Sequence, residues 1–370
     1  MANQRGDEAS AHASTGLGRR EFLLGLGAAG LSALLAGCNL GRSPTVSGGT
    51  PPTGDPGQFR KPAPWRIGRS GLGDLSSWWV MHSAHLEHAL KELYESSFAP
   101  ALALSANWDA DKQALDIEQL MGKGVDLLLV EPLSSPYAVS AVNQASSSGL
   151  PVILVSSPLK GADCVTWVTT DEEERARASV EWLARQVSRG RIIVLQSEPC
   201  QGSGPAWVSS ARNELSKFAE LQVDYLTCFW TPAEARRVML TALVDGPAPV
   251  GLVVNHGTVA QGAVDALAER GMMVPPVAGA DDNNGWLRTA REHAVTFLGF
   301  GGSTRLGKKA IEVASLVLSG ERVAPVITQP QTAFGAEELD RLYRPELTDH
   351  YWANHELPEA WIQAMFARQS

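Results

Sequence analysis

The runs DLLLV at 126–130 and PVILV at 151–155 each carry four consecutive apolar residues, and their length and composition decide the fold class. A strand with one wet face alternates apolar and polar side chains. A strand that is apolar throughout is buried on both faces, as in a parallel sheet covered by helices on either side. Moving outward, the same kind of run recurs as WRIGR, ALALS, VTWVT, RIIVLQ, VDYLTC, VGLVVN, MVPPVAGAD and AVTFLGF, at 65–69, 101–105, 165–169, 191–196, 223–228, 250–255, 273–281 and 294–300. Between these runs lie helical patterns. In the span 78–93, for example, Leu86, Ala89, Leu90 and Leu93 follow the i, i+3, i+4, i+7 stripe. The alternation predicts βαβ units and an α/β fold. The four runs before Ser157 form one sheet and those from Arg191 to Phe300 a second, with VTWVTTDEEE (165–174) crossing between the lobes.

At 370 residues the chain is long enough for two such lobes. Its composition, 44% hydrophobic and 19% charged, is that of a globular protein, although 11 Trp against 5 Tyr is an unusual ratio. The formal charge of −9, with no basic run in the body, argues against nucleic acid as a partner. No helix-turn-helix pattern precedes Trp65. The first forty residues place the chain outside the cytoplasm. Arg19 and Arg20 precede an uncharged run from Phe22 to Gly37, too short for a comfortable bilayer span, which ends at Cys38. This segment resembles a twin-arginine export signal, with Gly18 and Leu24 departing from its usual residues, so the general secretory route stays open. LAGC (35–38) resembles a bacterial lipobox, which implies that Cys38 becomes the lipid-bearing mature N-terminus and anchors the chain to the membrane. Gly25, Gly27 and Gly30 spell G-x-G-x-x-G, but no strand precedes them, so a dinucleotide site is rejected. Residues 39–64, rich in Gly, Ser, Thr and Pro, read as a flexible tether.

In open α/β sheets, ligands bind beyond the carboxyl ends of the strands. Trp78 and Trp79 follow the first run, and Asn107, Trp108 and Asp109 the second. Ser156 and Ser157 follow the fourth, Asn255 follows GLVV, and Asp281 and Asp282 follow VAGA. Two such rims facing one another make a cleft. Indole faces suit the C–H face of a sugar ring, and carboxylate and amide groups suit its hydroxyls. Asp281 has a second reading, as the N-cap of the following helix. Glu172–Glu174 read as a solvated first turn.

From about Arg66 to Thr328 the chain resembles the periplasmic sugar-binding proteins of ABC importers, of the type I, ribose-binding kind. The resemblance is carried by LSSWWVMHSAHLEHALKE, DIEQLMGKGVDLLLVEPLSS, VVNHGTVAQGAVDALAERG and VAGADDNNGWLRTAREHAVTFLGFGGSTRLGKKAIEVASLVLSGE. It implies two Rossmann-like lobes joined by a multi-strand hinge, with 65–170 and 302–324 forming the N-terminal lobe. Residues 171–301 and 325–345 then form the C-terminal lobe, and 346–370 a C-terminal extension. It implies Trp78 and Trp79 as ring-stacking aromatics, Asn255 and Asp281 as hydroxyl ligands, and Asp109, Ser156, Thr170 and Trp207 as further ligand-side positions. Ser156-Ser157, Trp207 and Gly301 stand where many relatives carry Asp-Arg, Arg and Gln, so no Arg clamps the hydroxyls. The implied function is capture of a sugar or polyol and its delivery to an ABC importer permease. The alternative is a sensory protein presenting its ligand to a membrane receptor or kinase.

A secreted hydrolase is disfavoured because no Ser-His-Asp or paired-carboxylate set has the needed spacing. His82, His85 and His88 share one helix face, but nothing completes a metal site at known spacing, and no cofactor is expected. Of the remaining cysteines, Cys164, Cys200 and Cys228, the last two lie near the ends of consecutive strands and form a candidate disulfide.

Overall fold

The computed structural model describes residues 56–74, 76–197, 204–244 and 246–368. Cys38, Cys200 and the tether up to residue 55 lie outside them, so the lipidation and disulfide expectations are not addressed by this structure.

The first sheet contains β1 (Ile67–Gly71), β2 (Leu102–Ser105), β3 (Leu127–Val130), β4 (Val152–Val155), β5 (Thr166–Thr169) and β11 (Val326–Thr328), in the order β2-β1-β3-β4-β5-β11. All of its pairings are parallel. The second sheet contains β6 (Gly190–Ser197), β7 (Leu221–Cys228), β8 (Gly251–Val254), β9 (Val277–Ala280), β10 (Phe297–Gly301) and β12 (Thr332–Gly335), in the order β7-β6-β8-β9-β10-β12. Only β12 runs antiparallel to its neighbour. Every run singled out in the sequence forms a strand. The two short edge strands β11 and β12 carry no comparable apolar run and were not expected. β11 also moves a boundary, because residues 326–328 pair with β5 in the first sheet rather than joining the second lobe.

The four-residue apolar runs behave as their composition demands. Leu127, Leu129, Ile153 and Val155 pack on one face, with Leu86, Ala310 and Ile311. Leu128, Val130, Val152 and Leu154 pack on the other, with Ile117, Ala138 and Val142. Successive strand residues point to opposite faces, so both sides need apolar residues.

Helices α1 (Ser77–His88), α2 (Ala110–Gly122), α3 (Pro136–Ser147) and α9 (Leu306–Leu318) cover the first sheet. Helices α4 (Glu172–Gln186), α5 (Gly204–Leu215), α6 (Pro232–Ala242), α7 (Gly257–Glu269) and α8 (Asn284–Glu292) cover the second. The expected 78–93 helix is present, but it finishes in one π turn, Ala89–Leu93.

One glycine in each lobe lets two helices touch. A Cβ on Gly307 of α9 would lie 2.1 Å from the His82 carbonyl of α1, and one on Gly262 of α7 would lie 2.1 Å from the Pro232 carbonyl of α6. The chain crosses between the lobes after β5, after β10 and after β11. The crossings lie side by side: Gln329 N donates to Thr169 O at 2.7 Å, and Arg305 Nη2 to Pro330 O at 3.3 Å.

Beyond β12 come the short helix α10 (Leu339–Leu342) and α11 (Glu359–Phe366). Tyr351, Trp352, Leu357, Ile362 and Phe366 of this C-terminal extension pack against Met81 and Ala84 of α1.

Candidate functional site

On the first lobe, the rim is aromatic. Trp79 is 8% exposed and packs with Leu72, Ala106 and Leu133, while Trp78 is half-buried. The two indoles meet edge to face at 4.6 Å, the arrangement aromatic quadrupoles favour. They then fan apart. Trp78 lies parallel to the His82 ring at 5.0 Å and donates its Nε1 to Ser303 Oγ at 2.9 Å. Trp79 meets Trp108 at 6.4 Å, and Trp108 meets Trp230 of the second lobe at 6.0 Å. Adjacent indoles are therefore accommodated by sending one along each side of the helix start.

Beneath them lies a buried ion network. Glu131 Oε1 accepts from Arg69 Nε at 2.9 Å and lies 3.1 Å from His82 Nε2. Its Oε2 accepts the Leu72 amide at 3.3 Å. Burial alone would raise the Glu131 pKa, but Arg69 and His82 overcome it and hold the carboxyl down to about 2.

Backbone strain collects at the same rim. Asn107, Trp108 and Ser156 adopt φ of 51°, 62° and 69°, and only Ala294 joins them among the described non-glycine residues. Such conformations are costly and cluster at functional sites. The Ser156 carbonyl accepts from Trp167 Nε1 at 3.2 Å and Thr169 Oγ1 at 3.0 Å, which ties the end of β4 to the crossing.

On the second lobe, the rim is polar. Asp281 is 2% exposed; its Oδ1 accepts the Gly257 amide at 2.7 Å and its Oδ2 lies 3.0 Å from His256 Nδ1. The carboxylate thus sits on the positive end of α7 and does not cap α8, whose N-cap is Asn283. Glycine is required at 257, since a Cβ there would lie 2.8 Å from Asp281 and 2.0 Å from Asn283 Oδ1.

Asn255 follows β8 directly and is 2% exposed, and its carbonyl accepts Arg175 Nη2 at 2.9 Å. Arg175 pairs with Glu172 at 2.7 Å, and Glu172 accepts the Thr170 hydroxyl at 2.8 Å. Thr170 therefore sits in a buried chain that runs from the crossing to Asn255. Glu172 is buried, whereas Glu173 and Glu174 are exposed as the solvated-turn reading expected. Asp282 is enclosed and its Oδ2 accepts the Asn354 amide at 2.6 Å. Burial raises its pKa to about 6.

Two expected ligand positions have other roles. Asp109 is exposed and caps α2, with its Oδ1 accepting the amides of Asp111 and Lys112 at 2.9 and 3.0 Å. Trp207 is fully enclosed with Ile192, Val194, Ala211 and Leu215, in the core of the second lobe rather than on the rim. The three histidines take separate partners: His82 faces Glu131, His85 bonds Met81 O, and His88 lies 3.2 Å from Glu92. Among the described residues no His, Cys, Asp and Glu side chains group as a metal site.

Sequence reasoning missed Trp230, although FW before a helix-opening Pro at the end of β7 obeys the same strand-end rule as the residues it did find. It also missed Arg175 and Asn354. Nothing local marks those two, because their partners lie 80 and 72 residues away.

Two α/β lobes, three side-by-side crossings and a cleft with one aromatic and one polar rim define a type I periplasmic binding protein. The model for the periplasmic binding protein domain matches residues 74–322, and the chain belongs to that family, whose members are solute-binding proteins rather than enzymes. A xylitol-binding protein of Mycolicibacterium smegmatis is 27% identical over 232 residues, covering 61% of this chain and 66% of that protein. The ribose import binding protein of Bacillus subtilis is 24% identical over 234 residues, covering 62% and 75%. Among solved structures, the binding protein of an arabinose ABC transporter from a Shewanella species matches with TM-score 0.67 at 19% identity, covering 75% of this chain and 93% of that one. A Bacillus halodurans ABC transporter solute-binding protein with bound myo-inositol matches with TM-score 0.67 at 22% identity, covering 78% and 98%. Family membership implies export, and among the described residues no helix is long and apolar enough to cross a membrane.

Proposed function

We propose that the chain captures a monosaccharide or polyol between its lobes and hands it to an ABC importer permease, held at the membrane by a lipid on Cys38. The observation that carries this reading is the pairing of rims: indole faces on the first lobe, Asn255 and Asp281 at the strand ends of the second. A pyranose, furanose or polyol needs both surfaces, an apolar one for its C–H face and acceptors for its hydroxyls. The second lobe adds Trp230 beside Trp108, but the Trp78–Trp79 pair belongs to the first lobe and Asn255 and Asp281 to the second. The relatives named for xylitol, ribose and arabinose support the ligand class. The LAGC motif and the Gly/Ser/Pro tether support the anchor.

Calorimetry with D-ribose, D-xylose, L-arabinose, xylitol and myo-inositol tests the capture reading. One of these is expected to bind near micromolar, about −8 kcal/mol. Asp281→Ala should weaken that binding about tenfold or more, because a hydrogen bond to a charged acceptor contributes roughly 1.5 to 3 kcal/mol. No binding by any of the five, or unchanged affinity in Asp281→Ala, would overturn it. For the anchor, Cys38→Ala should move the protein from the membrane to the soluble fraction, and unchanged fractionation and mass would sink that part alone.

A further inference from the structure

The family match ends at residue 322, yet the segment after it is tied to both lobes. On the second lobe, Asn284 Nδ2 donates to the carbonyls of Arg344 and Leu347 at 2.8 and 3.1 Å, and the Asn284 amide donates to Tyr351 O at 2.7 Å. The Gly285 amide donates to Asp349 O at 3.1 Å, the Ala353 amide to Asp282 O at 3.1 Å, and the Asn354 amide to Asp282 Oδ2 at 2.6 Å. On the first lobe, Trp352 Nε1 donates to Ser77 Oγ at 3.0 Å, next to Trp78. The Glu356 amide donates to His85 Nε2 at 3.2 Å, and the Glu356 carboxylate pairs with Arg305 and Lys308. Trp361 Nε1 reaches Glu92 at 3.0 Å.

The crossing itself is short. The Asn354 amide is held by the second lobe and the Glu356 amide by the first, and two residues span at most about 7 Å of extended chain. No slack is left for the lobes to part. A rotation that opens the cleft has to break one set of anchors. The first-lobe set is held by side chains, the exposed Glu356, the half-buried Trp361 and the apolar contacts on Met81 and Ala84, whereas the second-lobe set is a run of backbone bonds around the buried Asn284.

We propose that residues 346–368 form an interlobe strap that holds the ligand-free chain near the closed separation, and that opening requires the strap to detach from α1. This rests on the reading that ligand enters between the lobes, but its test uses no ligand.

Hydrogen exchange and small-angle scattering on the full-length, ligand-free protein decide it. The amides of Asn354 and Glu356 should both be protected, and Trp352→Ala should speed exchange at Glu356 by about tenfold or more. The same variant should have a larger radius of gyration, while the Asn284 and Gly285 amides and the far-ultraviolet dichroism stay as in the wild type. If Trp352→Ala does not fold, the full-length pair Glu356→Gln with Trp361→Phe replaces it, with the same expectations. A Glu356 amide that exchanges like an exposed one in the wild type, or a folded variant with an unchanged radius, would overturn the strap. Failure of all five sugars and polyols in calorimetry would sink the receptor reading and leave this result standing.

Discussion

The two lobes share one architecture and prepare opposite surfaces. In the first, a buried triad of Arg69, His82 and Glu131 supports aromatic rings at the start of α1. In the second, the start of α7 holds a carboxylate, Asp281, at the strand ends. The same unit, a parallel strand feeding a helix, therefore yields an aromatic wall where rings open the helix, as at Trp78 and Trp79, or an acidic one where a carboxylate ends the neighbouring strand and accepts the helix's first amide, as at Asp281. The scaffold fixes where the site is, and the few residues at each strand end fix what it recognises.

The sharpest way to break this comparison is Glu131→Ala. It would leave Arg69 and His82 without their shared partner, a change that typically costs 3 to 5 kcal/mol and is expected to cost about 4 here, read by denaturant titration. A buried Arg175–Glu172–Thr170 chain underlies Asn255 on the second rim, but Asp281 stands outside it and is held by the Gly257 amide and His256, so Asp281→Ala should cost only about 1 kcal/mol of stability. Equal losses in the two variants would mean that the rims are built alike.

Gly307→Ala and Gly262→Ala test the opposite point, that the lobes are alike in helix packing. Each new methyl group would meet a backbone carbonyl, and overpacking costs about 1 to 3 kcal/mol. The two values should agree within about 1 kcal/mol, and a tolerated substitution in one lobe would show that only the other depends on close helix contact.

The smallest effect expected is pH-dependent. Burial lowers the His85 pKa from 6.5 to about 3, so above 6.5 the group is neutral in both states and contributes no slope. As pH falls below 6.5 the unfolded chain takes up a proton that the folded chain refuses, and stability declines until about pH 3. Asp282, raised from 3.8 to about 6, works in reverse, since the folded chain keeps its proton longer and loses stability as pH rises from 3.8 through 6. His85→Gln should remove the first term alone. Relative to the wild type, its melting temperature should rise as pH is lowered, by the equivalent of about 1 kcal/mol between neutrality and about pH 5.5. A difference between the two proteins that does not change with pH would place the His85 proton elsewhere.

Much of the fold was legible because the central parallel strands β3, β4, β8 and β9, buried along their whole length, write themselves as apolar runs, and further apolar runs mark the other strands up to β10. Edge strands β11 and β12 were not legible, for they are short, β11 is largely exposed, and β12 contributes a single large apolar side chain, Phe334, to the core. In the candidate site, Trp78, Trp79, Asn255 and Asp281 were expected because strand ends are where ligands bind, and the structure places them at the strand ends of the two sheets. Trp207 was implied by the resemblance alone, standing where many relatives carry Arg, whereas α5 carries it into the core of the second lobe. The strap was visible only as an extension, since its meaning depends on partners more than 270 residues earlier, Ser77 and His85.

The row Trp78, Trp79, Trp108 and Trp230 has a spectroscopic consequence. Its last contact, Trp108 to Trp230 at 6.0 Å and 45°, joins chromophores from different lobes, close enough for their near-ultraviolet transitions to couple. Parting the lobes removes that coupling and leaves the Trp78–Trp79 pair, which rides on one helix, untouched. The native chain thus reports its own opening as a loss of exciton intensity in near-ultraviolet circular dichroism, without an added label.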